Sequence, residues 1–125
     1  MSDGTEPTLI YMTAGSAGEA RRIGKALVEA RLAACVNLIE GMKSIYWWEG
    51  AVQEDAEVVM IAKTRAALVE PLTAKVRDLH SDDCPCVVAV PIAGGNPAFL
   101  EWIAQETRGP ESGGGDAGNV KGEAD

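Results

Sequence analysis

The chain has 125 residues, a length that suits one domain and excludes an enzyme built from several domains. Apolar residues make up 46% and charged residues 24%, close to the globular average, so most of the chain can bury a core. Nineteen acidic and eleven basic side chains give a net charge of −8, which repels nucleic acid and anionic membranes. We therefore expect neither as a partner.

Membrane insertion and secretion are not expected either. No segment reaches the roughly 18 consecutive apolar residues that a membrane helix needs, and the N-terminus is acidic where a signal peptide would be basic. Three cysteines, an odd number without a secretory signal, argue against a disulfide framework. We predict a cytoplasmic protein with reduced thiols.

Both ends lack the pattern of a folded domain. Residues 1–7 show no hydrophobic periodicity, and residues 109–125 contain six glycines with Val120 as the one large apolar side chain. Neither stretch can offset its ordering entropy by burial. We predict one folded domain over residues 8–108, between a disordered N-terminus and a disordered, acidic, glycine-rich tail.

The folded region begins with patterns typical of a strand and then a helix. Residues 9–12 form a short apolar run that indicates a buried strand. Ser16, with Glu19 three residues later, fits a capping box, and apolar side chains then recur every three or four residues. The stripe predicts a helix that packs on one face of a sheet.

A second strand and a hairpin follow. Residues 33–39 are small or β-branched, which favours a strand, and Gly41 interrupts the run before bulky side chains resume at residues 44–48. These pieces are either one long bent strand or two strands. Glu49-Gly50 then predicts a hairpin turn into a strand over residues 52–63.

The remaining segments predict a helix, a strand and a final helix. Thr64 is a plausible helix cap, but Pro71 costs about 3 kcal/mol inside a helix and is tolerated in a first turn. We therefore predict a separate turn over residues 65–68 and a regular helix over residues 69–80. Two further elements complete the order: a strand over residues 86–91 and a helix over residues 98–108.

This order of elements predicts an α+β fold. Two split βαβ units around a hairpin form a ferredoxin-like sandwich (βαββαβ), here with an additional C-terminal helix. One antiparallel sheet would carry both main helices on the same face. If Trp47 and Trp48 point to the opposite, uncovered face, self-association is the simplest way to bury them.

Several short motifs occur together in the order found in one known family. They are Leu32-Ala33-Ala34-Cys35-Val36-Asn37, Ser44-Ile45-Tyr46-Trp47-Trp48-Glu49-Gly50, Glu57 with Lys63-Thr64, His80 before the strand at 86–92, and Gly95-Asn96 with Leu100-Glu101-Trp102. With them the sequence resembles the divalent-cation tolerance family, CutA, over nearly all of residues 8–108. The resemblance implies a ferredoxin-like trimer whose sheets join edge to edge. The family takes its name from copper-tolerance phenotypes. Its architecture is similar to PII-type signalling trimers, which bind small ligands between subunits.

The chain departs from the family pattern after its histidine. The family usually continues with Pro-Tyr, an acid, a hydrophobic residue, Pro and Glu, whereas this chain reads His80-Ser81-Asp82-Asp83-Cys84-Pro85-Cys86. Aspartate therefore replaces the tyrosine, and Cys86 replaces the glutamate. Any site built on those two positions is altered.

His80, Cys84 and Cys86 are the candidate metal ligands, for copper or another divalent metal. Thiolates select Cu(I) or Zn(II), and residues two apart on an extended segment project to the same side. A Cys-x-Cys pair supplies half of a tetrahedral zinc site, so a trimer would have to supply the rest. In the alternative interpretation, His80 caps the helix C-terminus and the cysteines act as small hydrophobic residues.

Tyr46, Trp47 and Trp48 are candidates for an interface or a ligand cleft. They could stack on a ligand or a nucleic-acid base, but the chain is acidic and no basic residue is interleaved with them. Packing at a subunit interface is therefore favoured.

Lys63 and Thr64 are the other candidates for an interface or ligand cleft. Lys63 lies at the end of a predicted core strand, where it could meet an anion at the start of the following helix. Our preferred alternative is a salt bridge with Glu57, Glu54 or a neighbouring subunit.

No pattern in the sequence predicts an enzyme. The chain lacks a Gly-rich phosphate loop, and one histidine without a credible nucleophile does not make a hydrolase. Small enzymes of this topology, such as acylphosphatases, use an arginine in the loop after the first strand, and residues 13–18 contain none.

We expect a non-enzymatic homotrimer of the divalent-cation tolerance type that binds a metal ion or small ligand between subunits. One alternative is a PII-like sensor of an anion or nucleotide, with Lys63, Arg65 and Trp48 lining a cleft between subunits. Another is a purely structural trimeric scaffold, which would bind neither.

Overall fold

The computed structural model describes residues 3–108, and the predicted tail over residues 109–125 lies outside the described residues. The elements in chain order are β1 (Pro7–Ala14), α1 (Ala17–Glu29), β2 (Cys35–Trp48), β3 (Ala51–Arg65), a 3-10 turn (Ala66–Leu68), α2 (Val69–Leu79), β4 (Val87–Pro91) and α3 (Pro97–Glu106). None of the three helices in this part of the chain is long and apolar enough to cross a membrane.

The strands form one four-stranded antiparallel sheet in the order β2-β3-β1-β4. β1 lies in the centre between β3 and β4, and helices α1 and α2 connect strands that are not adjacent in the sheet. This is the arrangement expected of two split βαβ units. The predicted α+β class, the antiparallel sheet and the additional helix α3 are confirmed.

The hydrophobic core lies between the sheet and the helices α1 and α2. Alternate residues of β1 and β3 point into it because side chains in a strand alternate between the two faces. The core side chains come from all four of these elements and include Ile10, Met12, Ile23, Leu27, Met60, Leu72 and Val76, each at most 1% exposed. Burial of each large side chain contributes about 1.5–3 kcal/mol to the stability of the folded chain.

The start of α2 follows from Pro71. A 3-10 turn precedes the helix, and α2 begins at Val69, so the proline lies in the first turn as predicted. The expectation that Thr64 caps this helix is wrong. Thr64 lies within β3, is fully buried, and donates its hydroxyl to the Leu32 carbonyl at 2.7 Å.

The sequence left open whether β2 is one strand or two, and the structure shows one strand of 14 residues. Its pairing with β3 shifts between Ile39 and Met42, where Gly41 has a φ of +87°. One extra residue of β2 is accommodated there, as in a β-bulge. The bulge bends β2 without ending it, because β2 is paired with β3 both before and after the bulge.

A two-residue turn, Glu49-Gly50, joins β2 to β3 as predicted, with Trp48 paired to Ala51. Both turn residues have positive φ, +51° for Glu49 and +80° for Gly50. This is the pattern of a type I′ turn, which matches the twist of the flanking strands. Glycine adopts it without cost, whereas glutamate is strained.

Relief of this strain gives a first testable prediction. Glu49→Asn is expected to raise the free energy of unfolding by about 1 kcal/mol, because asparagine tolerates the left-handed conformation. Urea unfolding at a fixed protein concentration measures the change. Glu54→Asn, the same substitution in the extended backbone of β3, should bring no gain. A Glu49→Asn protein no more stable than the parent would contradict the assignment of strain.

Helix α3 contacts β3 and β1. Ile103 is the buried residue of this helix, while Phe99 and Trp102 remain exposed with ring centroids 5.4 Å apart. The end of the helix is fixed by Arg31, whose guanidinium lies 2.8 Å from the Glu106 carboxylate.

Candidate functional site

The distal part of the β2–β3 hairpin, residues 42–57, forms a two-stranded ribbon that we call the arm. The ladder between β1 and β3 ends at Ala14 and Val58, whereas β2 and β3 remain paired out to Trp48 and Ala51. The arm carries four highly exposed apolar side chains: Trp47 (73% exposed), Ile45 (69%), Val52 (59%) and Trp48 (57%). An apolar surface of this kind marks an interaction site.

The two tryptophans do not share a face of the arm. Trp47 pairs with Val52, which lies on the same face of β3 as the core residue Val58. Trp48 pairs with Ala51, which lies on the other face. The condition that Trp47 and Trp48 both point to the uncovered sheet face is therefore not met, since neighbours in a strand alternate. Both are exposed because the arm extends beyond the rest of the sheet.

Tyr46 is held by a carboxylate of the opposite strand. Its hydroxyl donates a hydrogen bond to Asp55, and this bond, followed by burial and the charge of Asp55, raises the pKa of the phenol. Two residues before Tyr46 in β2, the Ser44 hydroxyl donates a hydrogen bond to the Glu57 carboxylate at 2.6 Å. The acids of β3 on this face of the arm are thus paired with hydroxyl groups of β2, which fixes the register of the ribbon.

Lys63 lies at the opposite end of β3 from the arm. Its ammonium group donates to the Asn37 side chain, and no carboxylate in the described part of the chain forms a salt bridge with it. The predicted pairing with Glu57 or Glu54 within the chain is wrong. Glu57 lies six residues away along the same strand, a distance of about 20 Å.

His80 is a buried structural residue at the C-cap of α2, with its side chain 2% exposed. Its Nδ1 accepts a hydrogen bond from the Asp82 backbone N–H at 3.0 Å, so the proton lies on Nε2, which donates to the Thr13 carbonyl at 2.9 Å. Both ring nitrogens therefore already have partners. The ring ties the end of α2 to β1, a role close to the alternative interpretation of this residue as a helix cap.

Cys84 and Cys86 are exposed free cysteines in the segment between α2 and β4. Burial and the nearby Glu57 carboxylate raise the pKa of the Cys86 thiol, against a smaller lowering by the Thr13 side chain. Within residues 3–108 no three His, Cys, Asp or Glu side chains lie close enough to hold a metal ion. The structure therefore does not assemble His80, Cys84 and Cys86 as three ligands of one site.

Glu19 is a second buried ionisable group beside His80, and sequence reasoning assigned it to the capping box alone. Ser16 does accept a hydrogen bond from the Glu19 backbone N–H at 3.1 Å, as predicted. The Glu19 carboxylate, however, accepts a hydrogen bond from the Ser81 backbone N–H at 2.7 Å and lies 3.7 Å from Nδ1 of His80. It links α1 to the segment that carries the cysteines.

Acid should weaken this link. Burial of Glu19 raises its pKa, but the hydrogen bonds from Ser81, the His80 ring and the hydrogen bond from Gly15 outweigh burial and hold the pKa below its usual value. The resulting stabilisation is complete above the unfolded-state pKa and is lost as the pH falls through the lower folded-state pKa. Glu19→Gln should therefore flatten the acid dependence of urea unfolding. Glu29→Gln, exposed at the end of α1, should keep the parent's slope, and equal slopes for all three proteins would refute the prediction.

An open groove of about 330 Å³ between α1 and β2 also escaped the sequence analysis. Apolar side chains of both elements and two cations of α1 line it, among them Arg21, Lys25, Val28, Val36 and Leu38. No spacing rule predicts it, because the two walls are separate elements. The groove runs beside β2, which is one edge of the sheet.

Comparison with known proteins agrees with the fold. A family model described as CutA1 divalent ion tolerance protein matches residues 8–106. The chloroplastic CutA 1 protein of Oryza sativa subsp. japonica is 44% identical over 105 residues, which cover 83% of this chain and 59% of the relative. The chain thus spans about three-fifths of the length of that plant relative.

Shorter relatives match over nearly their whole length. The divalent-cation tolerance protein CutA of Thermus thermophilus is 44% identical over 99 residues, 79% of this chain and 96% of the relative. The structure of the periplasmic divalent cation tolerance protein CutA from Archaeoglobus fulgidus superposes with a TM-score of 0.79 at 42% identity, covering 82% of this chain and 99% of that one. With its sheet order, its motifs and these matches, the chain belongs to the CutA1 divalent ion tolerance family.

Proposed function

We propose that the chain forms a homotrimer whose subunits bury their arms against one another, and that this trimer acts in tolerance of divalent cations by binding a cation or small ligand. The exposed arm carries the proposal. Two tryptophans, an isoleucine and a valine lie uncovered on a two-stranded ribbon, which is marginally stable without further packing. A second and third copy of the chain would supply that packing.

The sheet edges support the same arrangement. β2 and β4 form the two edges of the sheet, so each subunit offers one edge strand on either side. Edge strands present unpaired backbone groups that another chain can satisfy. Two unlike edges on each copy suit head-to-tail association, which closes into a ring when the rotation between copies allows it.

Sedimentation equilibrium of the full chain at micromolar concentration tests the assembly. A trimer would have a mass of about 39 kDa, three times the 13.1 kDa of one chain. A 13.1 kDa species at this concentration would overturn the proposal, because the arm would then be exposed in the working protein.

We propose a binding role in place of catalysis, and a cytoplasmic location. The relatives are named for tolerance of divalent cations, which is a response and not a reaction. Their printed names include both chloroplastic and periplasmic proteins, so family membership does not select a compartment. Three free cysteines favour a reducing compartment.

A PII-like sensor of anions is the second candidate, and Lys63 favours it. The Lys63 ammonium has a neutral partner, Asn37, and so keeps its charge available for an anion. Arg65, two residues further on, already donates to the Thr107 carbonyl at 3.2 Å. Calorimetric titration with nucleotides distinguishes the two functions: heat of binding that is lost in Lys63→Gln supports the sensor, and no heat excludes it.

A further inference from the structure

The open groove between α1 and β2 has the size and the lining of a small-molecule site. Its volume of about 330 Å³ lies at the lower end of the range for such sites, which are concave and mostly apolar. Apolar side chains line both walls: Val28 of α1, and Val36 and Leu38 of β2. Val28 and Leu38 are each 39% exposed, so apolar surface in the groove is still open to a ligand.

Gly24 keeps the floor of this groove open. It is buried in the interior of α1, next to Val36 and Leu38 of β2. A Cβ atom at this position would lie 3.4 Å from the Val36 side chain and 4.0 Å from the Leu38 side chain, which is ordinary van der Waals contact. Alanine would therefore fit, and a helix interior favours alanine over glycine. Packing within the chain does not account for this glycine, whereas an open floor for a ligand does.

Two cations that line the groove have no partner in the described part of the chain. Lys25 follows Arg21 by four residues, about one helical turn, so the two side chains are neighbours on α1. Within residues 3–108 neither forms a side-chain hydrogen bond or a salt bridge. The adjacent Arg22, by contrast, donates to the Leu79 carbonyl at 3.3 Å. Arg21 and Lys25 are therefore available to an anionic group.

The charges of the lining favour a ligand with one negative group. Glu29 also lines the groove, towards the C-terminal end of α1, and repels an anion from that end. A polyanion such as nucleic acid is disfavoured by the net charge of −8 of the whole chain. We propose that the groove binds an aliphatic monocarboxylate, with its carboxylate at Arg21 and Lys25 and its hydrocarbon chain on the apolar side chains named above.

The site goes beyond the proposed role in cation tolerance. It does not depend on the trimer either, because both walls of the groove belong to one chain. It is also separate from Lys63, the candidate for anion binding in a PII-like sensor, because Lys63 is not among the residues that line the groove.

Titration of the isotope-labelled full chain with octanoate, followed by NMR, tests the proposal. We expect saturable shifts of the backbone amides of α1 and β2 around the groove, with a Kd in the millimolar range, because the ligand is small. Acetate carries the same charge without the chain, and octylamine carries the same chain with the opposite charge. Neither should produce these shifts over the same range of concentration.

A pair of charge variants tests the cations. Arg21→Gln/Lys25→Gln should weaken octanoate binding by roughly 2- to 30-fold, the range expected for the loss of two exposed ion pairs. Lys75→Gln/Arg77→Gln is the matched control, since it makes the same change of charge at exposed residues of α2. Its affinity for octanoate should equal the parent's.

A pair of glycine variants tests the floor. Gly24→Ala should weaken octanoate binding by about 10-fold, because the added methyl group occupies the space of one methylene of the ligand. Its midpoint of urea unfolding should stay unchanged or rise, so that lost binding does not reflect lost folding. Gly18→Ala, in the first turn of α1 with nothing within 4 Å of the added Cβ, is the control and should bind octanoate as the parent does.

Three results would overturn the proposal: no saturable shift around the groove, equal shifts with octylamine or acetate, or equal affinities in all four variants. Sedimentation of the same samples separates this inference from the proposed assembly. A trimer that does not bind octanoate removes the groove site and leaves the trimer, and a single chain that binds octanoate does the reverse.

Discussion

Trp47→Glu is expected to convert the proposed trimer of about 39 kDa to a single chain of 13.1 kDa. In the isolated chain Trp47 is the most exposed of the four apolar side chains of the arm, and in the proposed trimer the substitution would remove the contribution of its burial between copies. Loss of a buried tryptophan costs about 3–5 kcal/mol, and an unpaired carboxylate in the same place costs more. Sedimentation equilibrium over a range of concentrations measures the change in association.

Phe99→Glu is the matched control for this substitution. It introduces the same charge at an exposed aromatic residue of α3, outside the arm, and should leave the mass unchanged. If Trp47→Glu still sediments as the parent does, the arm is not the interface. Circular dichroism should show that the monomeric variant keeps its sheet, because Trp47 contributes nothing to the core of its own chain.

His80→Ala is expected to lower the free energy of unfolding by about 2–4 kcal/mol. The substitution leaves the Thr13 carbonyl and the Asp82 N–H without their partners and opens a cavity beside Glu19. Urea unfolding of the metal-free protein measures the loss, at one fixed protein concentration because an oligomer's stability depends on it.

The same variant distinguishes a structural histidine from a metal ligand. If His80 were a metal ligand, His80→Ala would lose binding of the metal ion and keep the stability of the metal-free protein. The hydrogen bonds of His80 predict instead that the variant loses stability and keeps binding of the metal ion. Asp83→Ala, which removes an exposed carboxylate three residues further along the chain, should change stability by no more than about 0.5 kcal/mol. A His80→Ala protein as stable as Asp83→Ala would refute the structural role.

Local chemistry accounts for the parts of the fold that could be predicted. Pro71 sets the start of α2, Ser16 caps α1, and Glu49-Gly50 makes the hairpin turn, each through the conformational limits of one or two residues. Such limits act within a few residues, so they can be read from sequence. The order of strands then follows from the small number of ways to connect them.

The site could not be predicted in the same way, because its contacts join distant parts of the chain. Glu19 meets Ser81 and the His80 ring meets Thr13, pairs separated by more than 60 positions. The spacing of His80 and the cysteines suggested three ligands, but the ring turns toward β1, where its nitrogens find backbone partners. Thr64 was misread for a similar reason, since its hydroxyl bonds the Leu32 carbonyl across the fold.

The bulge near Gly41 shifts the alternation of side chains along β2 by one residue and bends the strand where the arm begins. Ile39 pairs with Val59 and Met42 with Glu57, so three steps along β2 match two along β3. Removal of a single residue at this point would make the pairing of β2 with β3 regular, and Trp47 would stay opposite Val52 on the same side of the arm. The side chains of the arm would be unchanged while the bend of β2 was lost, so a one-residue deletion here would show whether recognition between copies depends on the direction in which the arm extends.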